Sequence, residues 1–169
     1  MLPTLTTARL SLRPCTPDDT AALHALWTDP GVRRFLWDDR AIERDEAAAV
    51  VQALCDTANQ RRGGLWLIET RPGEPPAGFC ALREIGGTTE IEIIYGLASD
   101  HWGQGLATEA SRAVLAYGFD VLSLTRIWGR TDPPNIHSLA VLARLGMQPA
   151  VNPGHETQPM ATFVLERSA

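Results

Sequence analysis

The sequence predicts one mixed α/β domain spanning residues 1–169, and three observations carry that reading. Stretches of two-residue alternation and stretches of helical spacing follow one another as strand, two helices, three strands, helix, strand, helix, strand. No internal repeat, low-complexity run or linker-length Pro/Gly stretch divides the chain. With 44% hydrophobic and 21% charged residues the composition is that of a globular unit, and at 169 residues such a chain buries roughly 70% of the surface its unfolded form exposes. No metal or disulfide staple is needed at that size.

Each element has a local reason. Leu10, Ser11, Leu12 and Arg13 alternate as a strand, and Thr16-Pro17-Asp18-Asp19 supplies a cap, a proline and acids for a helix reaching Trp27. Asp29-Pro30-Gly31 reads as its break. Residues 41–59 are rich in alanine, valine and leucine with acids early, which predicts a second helix closed by Arg61-Arg62-Gly63-Gly64. Residues 65–70 and 78–82, joined by a turn containing Pro72 and Gly73, form a hairpin, and residues 90–97 a third strand. Leu106, Ala110, Ala113, Val114 and Tyr117 then fall on one helical stripe over 105–119. Residues 126–129 make a short strand, Asn135 caps a helix that Gly146 ends, and residues 160–166 close the sheet.

Composition removes several function classes. No apolar run reaches the length of about 20 residues that a bilayer span requires, and the first residues lack the basic and apolar pattern of a signal peptide. A net charge of −5 opposes the broad positive field of nonspecific nucleic-acid binding. All 15 cations are arginine, which excludes a P-loop lysine and a Schiff-base lysine. Three cysteines, Cys15, Cys55 and Cys80, fit reduced thiols and a cytoplasmic location better than a disulfide framework. The four histidines, His24, His101, His137 and His155, show no metal-ligand spacing, so no metal is expected.

The chemistry concentrates in His101-Trp102-Gly103-Gln104-Gly105-Leu106-Ala107-Thr108, which joins the third strand of the run to the striped helix. Gly103, Gly105 and the small Ala107 let a ligand approach the backbone, and a helix start presents unpaired N–H groups that suit a phosphate or pyrophosphate. The same glycines also serve a plain tight turn. A nicotinamide-dependent dehydrogenase turn would want glycine where Thr108 stands, and an acid ending a second strand about 20 residues on; neither is met.

The stretch from Glu92 through Ala110 resembles the acetyl-CoA signature of the GNAT superfamily of N-acetyltransferases, in its RimJ/RimL-type branch. Thr7 to Pro14 is similar to that branch's opening strand, and Asn135 to Met147 to its late helix, so the resemblance covers nearly the whole chain. It implies a mostly antiparallel, splayed sheet flanked by helices, with acetyl-CoA as co-substrate. Its pyrophosphate would rest on the backbone amides of Trp102, Gly103, Gln104, Gly105, Leu106, Ala107 and Thr108. The family often has glutamine or arginine where Trp102 stands, and backbone amides do not depend on that side chain. The pantetheine arm would pair with main chain near Leu97 and Ala98, where a bulge splays two strands. Asn135 would cap its helix, contact the cofactor, or both.

The resemblance also assigns roles in direct attack of a neutral amine on the thioester. Glu92 occupies the position of a glutamate that takes the proton through water, and alternation puts Glu90 on its face; either could instead be a solvated strand residue. Ser138 would donate a hydrogen bond to the departing sulfur, or only trim its helix start. The tyrosine that many members place four residues before the late glycine is Leu142 here. The acceptor would be a protein N-terminus or an amine-bearing small molecule, and members are commonly homodimers. An α-amine with a pKa near 8 is about one-tenth neutral at pH 7, whereas a lysine-type amine near 10.4 is neutral to only about 0.04%, so the former needs less help. A non-catalytic acetyl-CoA-binding sensor is the alternative of a different class.

Overall fold

A computed structural model describes residues 2–60, 62–71, 73–154 and 159–167; Arg61, Pro72 and His155, named above, lie outside these. Eight strands form one sheet: β1 (Leu5–Thr6), β2 (Ser11–Pro14), β3 (Gly64–Glu69), β4 (Gly78–Glu84), β5 (Ile91–Leu97), β6 (Arg126–Thr131), β7 (Gln148–Pro149) and β8 (Ala161–Glu166). Their spatial order is β1-β2-β3-β4-β5-β6-β8-β7, antiparallel throughout except for the parallel pair β5–β6. The helices are α1 (Thr20–Thr28), α2 (Pro30–Leu36), α3 (Arg44–Asn59), α4 (Leu106–Asp120) and α5 (Ile136–Arg144). Helix α4 is the crossover that a parallel pair requires.

The alternation along β3 explains the layers. Trp66 and Ile68 face a core shared with Leu106, Ala110 and Val114 of α4 and with Val141 and Leu142 of α5. Leu65 and Leu67 face a second core with Leu23 and Trp27 of α1 and Val51 and Leu54 of α3. A sheet covered on both faces reads as continuous apolar runs in its central strands, which is why β3 and β4 are buried along most of their length.

Helix α2 is a correction. The segment expected only to break a helix also starts one: the Asp29 carboxylate accepts hydrogen bonds from the N–H groups of Gly31 (2.9 Å) and Val32 (3.2 Å), and Pro30 stands at the first helical position. A cap followed by proline is a start signal as much as a stop. The two-residue strands β1 and β7 also went unread, being too short to show a period.

The sheet opens at one place. β5 and β6 are in register only at Glu92↔Trp128 and Ile93↔Gly129, after which β5 continues to Leu97 and β6 to Thr131 without pairing. The expected bulge is absent, because β4 and β5 keep an unbroken register from Gly78↔Leu97 to Glu84↔Ile91. The splay arises on the β6 side alone.

At the N-terminal side of α1, Arg13 places both terminal nitrogens on the Asp19 carboxylate (2.7 and 2.8 Å), which also accepts from the Thr16 N–H at 2.9 Å. The Arg13 guanidinium holds the Asp19 carboxyl below the usual carboxylate range. A depressed folded-state pKa gives stability that is present above the unfolded value, near 3.9, and is lost as pH falls through the folded value. D19N is therefore expected to destabilise the protein at pH 7 and progressively less as pH falls below about 4, as read from urea midpoints across that range.

Candidate active site

The glycine turn adopts the conformation its sequence demands. Gly103 and Gly105 have φ of 74° and 76°, in the left-handed region that a side chain disfavours. Gly105 caps α4, and the first helical bond is donated by the Glu109 N–H to the Gly105 carbonyl (3.1 Å). The N–H groups of Leu106, Ala107 and Thr108 accordingly lie in the first turn, with no backbone acceptor among the described residues. Thr108 adds a hydroxyl: Oγ1 is buried, with no hydrogen-bond partner among the described residues. A cluster of unpaired donors beside an orphaned hydroxyl fits a bound anion, so these residues suit the pyrophosphate of acetyl-CoA.

Two cavities meet at this turn. One, of about 770 Å³, is lined by Gly103, Gly105 and Thr108 together with Arg9, Arg112 and Arg144. The other, of about 670 Å³, runs from Gly103–Thr108 past Trp102 to Leu97, Gly96 and Tyr95, and on to Asn135 and Ser138. Helix α2 roofs it with Gly31, Arg34 and Phe35. His101 and His137 line it as well.

Trp102 lies across this cleft. Its indole N–H donates to the Leu97 carbonyl at 2.7 Å, its ring stands 6.0 Å from that of His137, and it is 45% exposed. A Cβ on Gly31 would come within 2.9 Å of the ring, so the glycine in α2 makes room for the indole. Sequence reasoning discounted this side chain, yet it holds the strand carbonyl expected to receive pantetheine. The Ala98 N–H bonds the Ala77 carbonyl and its carbonyl accepts the His101 N–H, both at 2.9 Å. Both backbone groups of Ala98 thus already bond the protein's own main chain, whereas the Leu97 carbonyl is held by a side chain.

Gln104 turns away, its side-chain amide donating to the Asp100 carbonyl (3.2 Å) while its own carbonyl accepts from Arg9. Asn135 caps α5 as expected, with Oδ1 accepting the Ser138 N–H at 3.1 Å. The Ser138 hydroxyl lies 2.9 Å from the Tyr95 hydroxyl. Sequence reasoning missed Tyr95, a strand residue that lacked any motif.

Glu92 meets a geometry different from that of a proton acceptor. It is 2% exposed; one oxygen accepts from Arg83 Nε (2.9 Å) and the other from Arg130 Nε (2.8 Å). Alternation places it with Ile94 on the α1/α3 face, opposite Tyr95 and Ser138, and it does not line the cleft. Two guanidinium partners explain how a carboxylate can be buried there at all. Glu90 is also engaged, by Arg126 and by the Trp128 indole N–H at 2.6 Å, and Arg126 holds its carboxyl below the usual range.

A splayed sheet, a crossover helix rising from a glycine turn and a cleft joining that turn to a strand edge offer room for an extended ligand with a phosphate at one end. The chain belongs to the GNAT acetyltransferase family: the model of the acetyltransferase (GNAT) domain matches residues 9–148. It is 30% identical over 146 residues to an uncharacterized N-acetyltransferase p20 of Bacillus licheniformis, covering 86% of this chain and 82% of the relative. Its fold is similar to that of an acetyltransferase from Agrobacterium tumefaciens, with a TM-score of 0.88 and 22% identity over 99% of this chain and 96% of the other. RimL, a ribosomal L7/L12 α-N-protein acetyltransferase solved with coenzyme A, aligns at a TM-score of 0.80 and 17% identity, over 97% of this chain and 98% of its own. The chain is thus an N-acetyltransferase, which passes an acetyl group from acetyl-CoA to an amine.

Proposed function

We propose that acetyl-CoA lies with its pyrophosphate on the N–H groups of Gly103–Thr108 and its pantetheine arm in the gap between β5 and β6. The unpartnered Thr108 hydroxyl among unpaired helix-start donors is the observation that carries this reading. Arg112 and Arg144 supply local positive charge beside the turn on a chain that is negative as a whole, while Arg9 is paired with Glu109, which lines the same cavity. To pair with the strand edge, the arm takes the Leu97 carbonyl from the Trp102 indole. The thioester then reaches Tyr95 and Ser138, where the Ser138 hydroxyl donates a hydrogen bond to sulfur as the C–S bond breaks.

The acceptor enters from the α2 side of the cleft, and its class is a primary amine on a protein N-terminus or a small molecule. With Glu92 paired to two arginines, the amine proton leaves by water in the cleft rather than through that carboxylate.

Calorimetry with coenzyme A, followed by thiol release from acetyl-CoA with a panel of N-terminal peptides and polyamines, tests the reading. Binding is expected, together with a change in tryptophan emission that W102F abolishes. Absence of binding overturns the cradle; tight binding without turnover of any amine would make the protein a coenzyme sensor.

A further inference from the structure

We infer that Tyr95 is a positioning residue that holds the Ser138 hydroxyl with its hydrogen aimed at the departing sulfur; this rests on the sulfur-donor role given to Ser138 above. The two residues stand 43 positions apart, on β5 and α5, and line the same cleft. The Tyr95 hydroxyl lies 2.9 Å from Ser138 Oγ and also reaches the Ser138 carbonyl as donor at 3.3 Å, the longer and weaker of the two contacts open to its one hydrogen.

A serine in the first turn of a helix ordinarily satisfies its hydroxyl locally, on a nearby backbone group. Here the hydroxyl meets Tyr95 instead. Asn135 Oδ1 accepts the Ser138 N–H at 3.1 Å and the Asn135 carbonyl accepts Leu139 N–H at 3.1 Å, so the serine main chain is fixed by its cap while its side chain turns to the strand.

Chemistry then sets the direction. A phenol is the stronger acid and so the better donor of the two, and burial pushes the Tyr95 hydroxyl up to about 12, so it keeps its proton across the working pH range. With Tyr95 donating into one Ser138 lone pair, the serine hydrogen points elsewhere, into the cleft. The result is a chain from phenol to serine to sulfur in which each hydrogen bond polarises the next. During transfer the C–N bond forms, the C–S bond breaks with its electron pair on sulfur, and the nitrogen's proton leaves to solvent. Neither hydroxyl gives up its hydrogen; both bear the charge through hydrogen bonds.

The readout is the thiol of bound coenzyme A, titrated by the ultraviolet absorbance of its thiolate, which needs no acceptor. Burial raises Cys15 and Cys55 and takes Cys80 to about 12, and coenzyme-free protein of each variant, titrated alongside, subtracts whatever the protein's own thiols contribute. His101 and His137 line the cleft in every variant and cancel in the comparison. In wild type the bound thiol should titrate below its free value. Y95F, which keeps the packed ring, should raise that midpoint by about one pH unit, a tenfold loss of thiolate. S138A should raise it at least as far, and Y95F/S138A no further than S138A. Coenzyme that fails to bind wild type overturns the cradle itself, and an unmoved midpoint in S138A overturns the serine role and the inference with it. If S138A moves and Y95F does not, Tyr95 positions nothing. A Y95F shift that persists in the S138A background places Tyr95 directly on sulfur and overturns the positioning role.

Discussion

E92A is expected to lower the unfolding free energy by about 3–5 kcal/mol, because it removes the buried carboxylate that Arg130 and Arg83 share. The Arg130 side chain is only 6% exposed, so it cannot turn to water, whereas Arg83, at 42%, can. Arg130 keeps its bond to Asn152 Oδ1 (3.3 Å), which favours the lower end of that range. The urea midpoint measures the loss. Replacing both partners with apolar residues, as in E92L/R130M, should recover much of it, since a buried pair is worth little beyond a well-packed apolar substitute. The turnover of folded E92Q is expected to match that of wild type. If E92Q keeps its stability and loses its turnover, Glu92 is the proton acceptor after all.

A107P is expected to weaken coenzyme A binding about 10- to 100-fold, the loss of one hydrogen bond to a charged group. Ala107 is the second residue of α4, where proline deletes an N–H without breaking the helix. The substitution removes one donor from the cradle and also crowds the helical backbone of Leu106 before it, a strain that shows in the ligand-free protein. Calorimetry gives the affinity, and the ligand-free melting temperature checks the fold. An affinity equal to that of wild type would mean that the first turn of α4 does not hold the pyrophosphate.

What the sequence made legible follows the range of the interactions. β3, β4, β5 and α4 declare themselves, because their periods are set by which neighbours they bury and their caps are local. The left-handed glycines at 103 and 105 and the Asn135 cap were readable for the same reason. α2 was readable in principle, since Asp29-Pro30 is a complete start signal, but the same residues also end α1. The partners of Glu92 were not readable. Arg83 faces it through the β4–β5 register and Arg130 lies across the parallel pair, so their meeting is fixed only once three strands are aligned. Tyr95 and Ser138 meet by the same route, across a strand and a helix. Trp102 is the reverse case: its bond to Leu97 spans five residues, yet nothing in the local pattern says that an indole would fold back over the strand end.

The gap between β5 and β6 gives the molecule an unfinished seam: past Ile93 and Gly129 the two strands run on with no strand pairing on their facing sides among the described residues. A bound pantetheine arm would act as the missing rung, so the substrate is also a structural part. At coenzyme concentrations about 100-fold above the dissociation constant, that linkage amounts to about 2.7 kcal/mol of extra resistance to unfolding. A starved enzyme would then be the fragile one, opened by heat or protease at this seam, and its lifetime would follow the supply of the molecule it consumes.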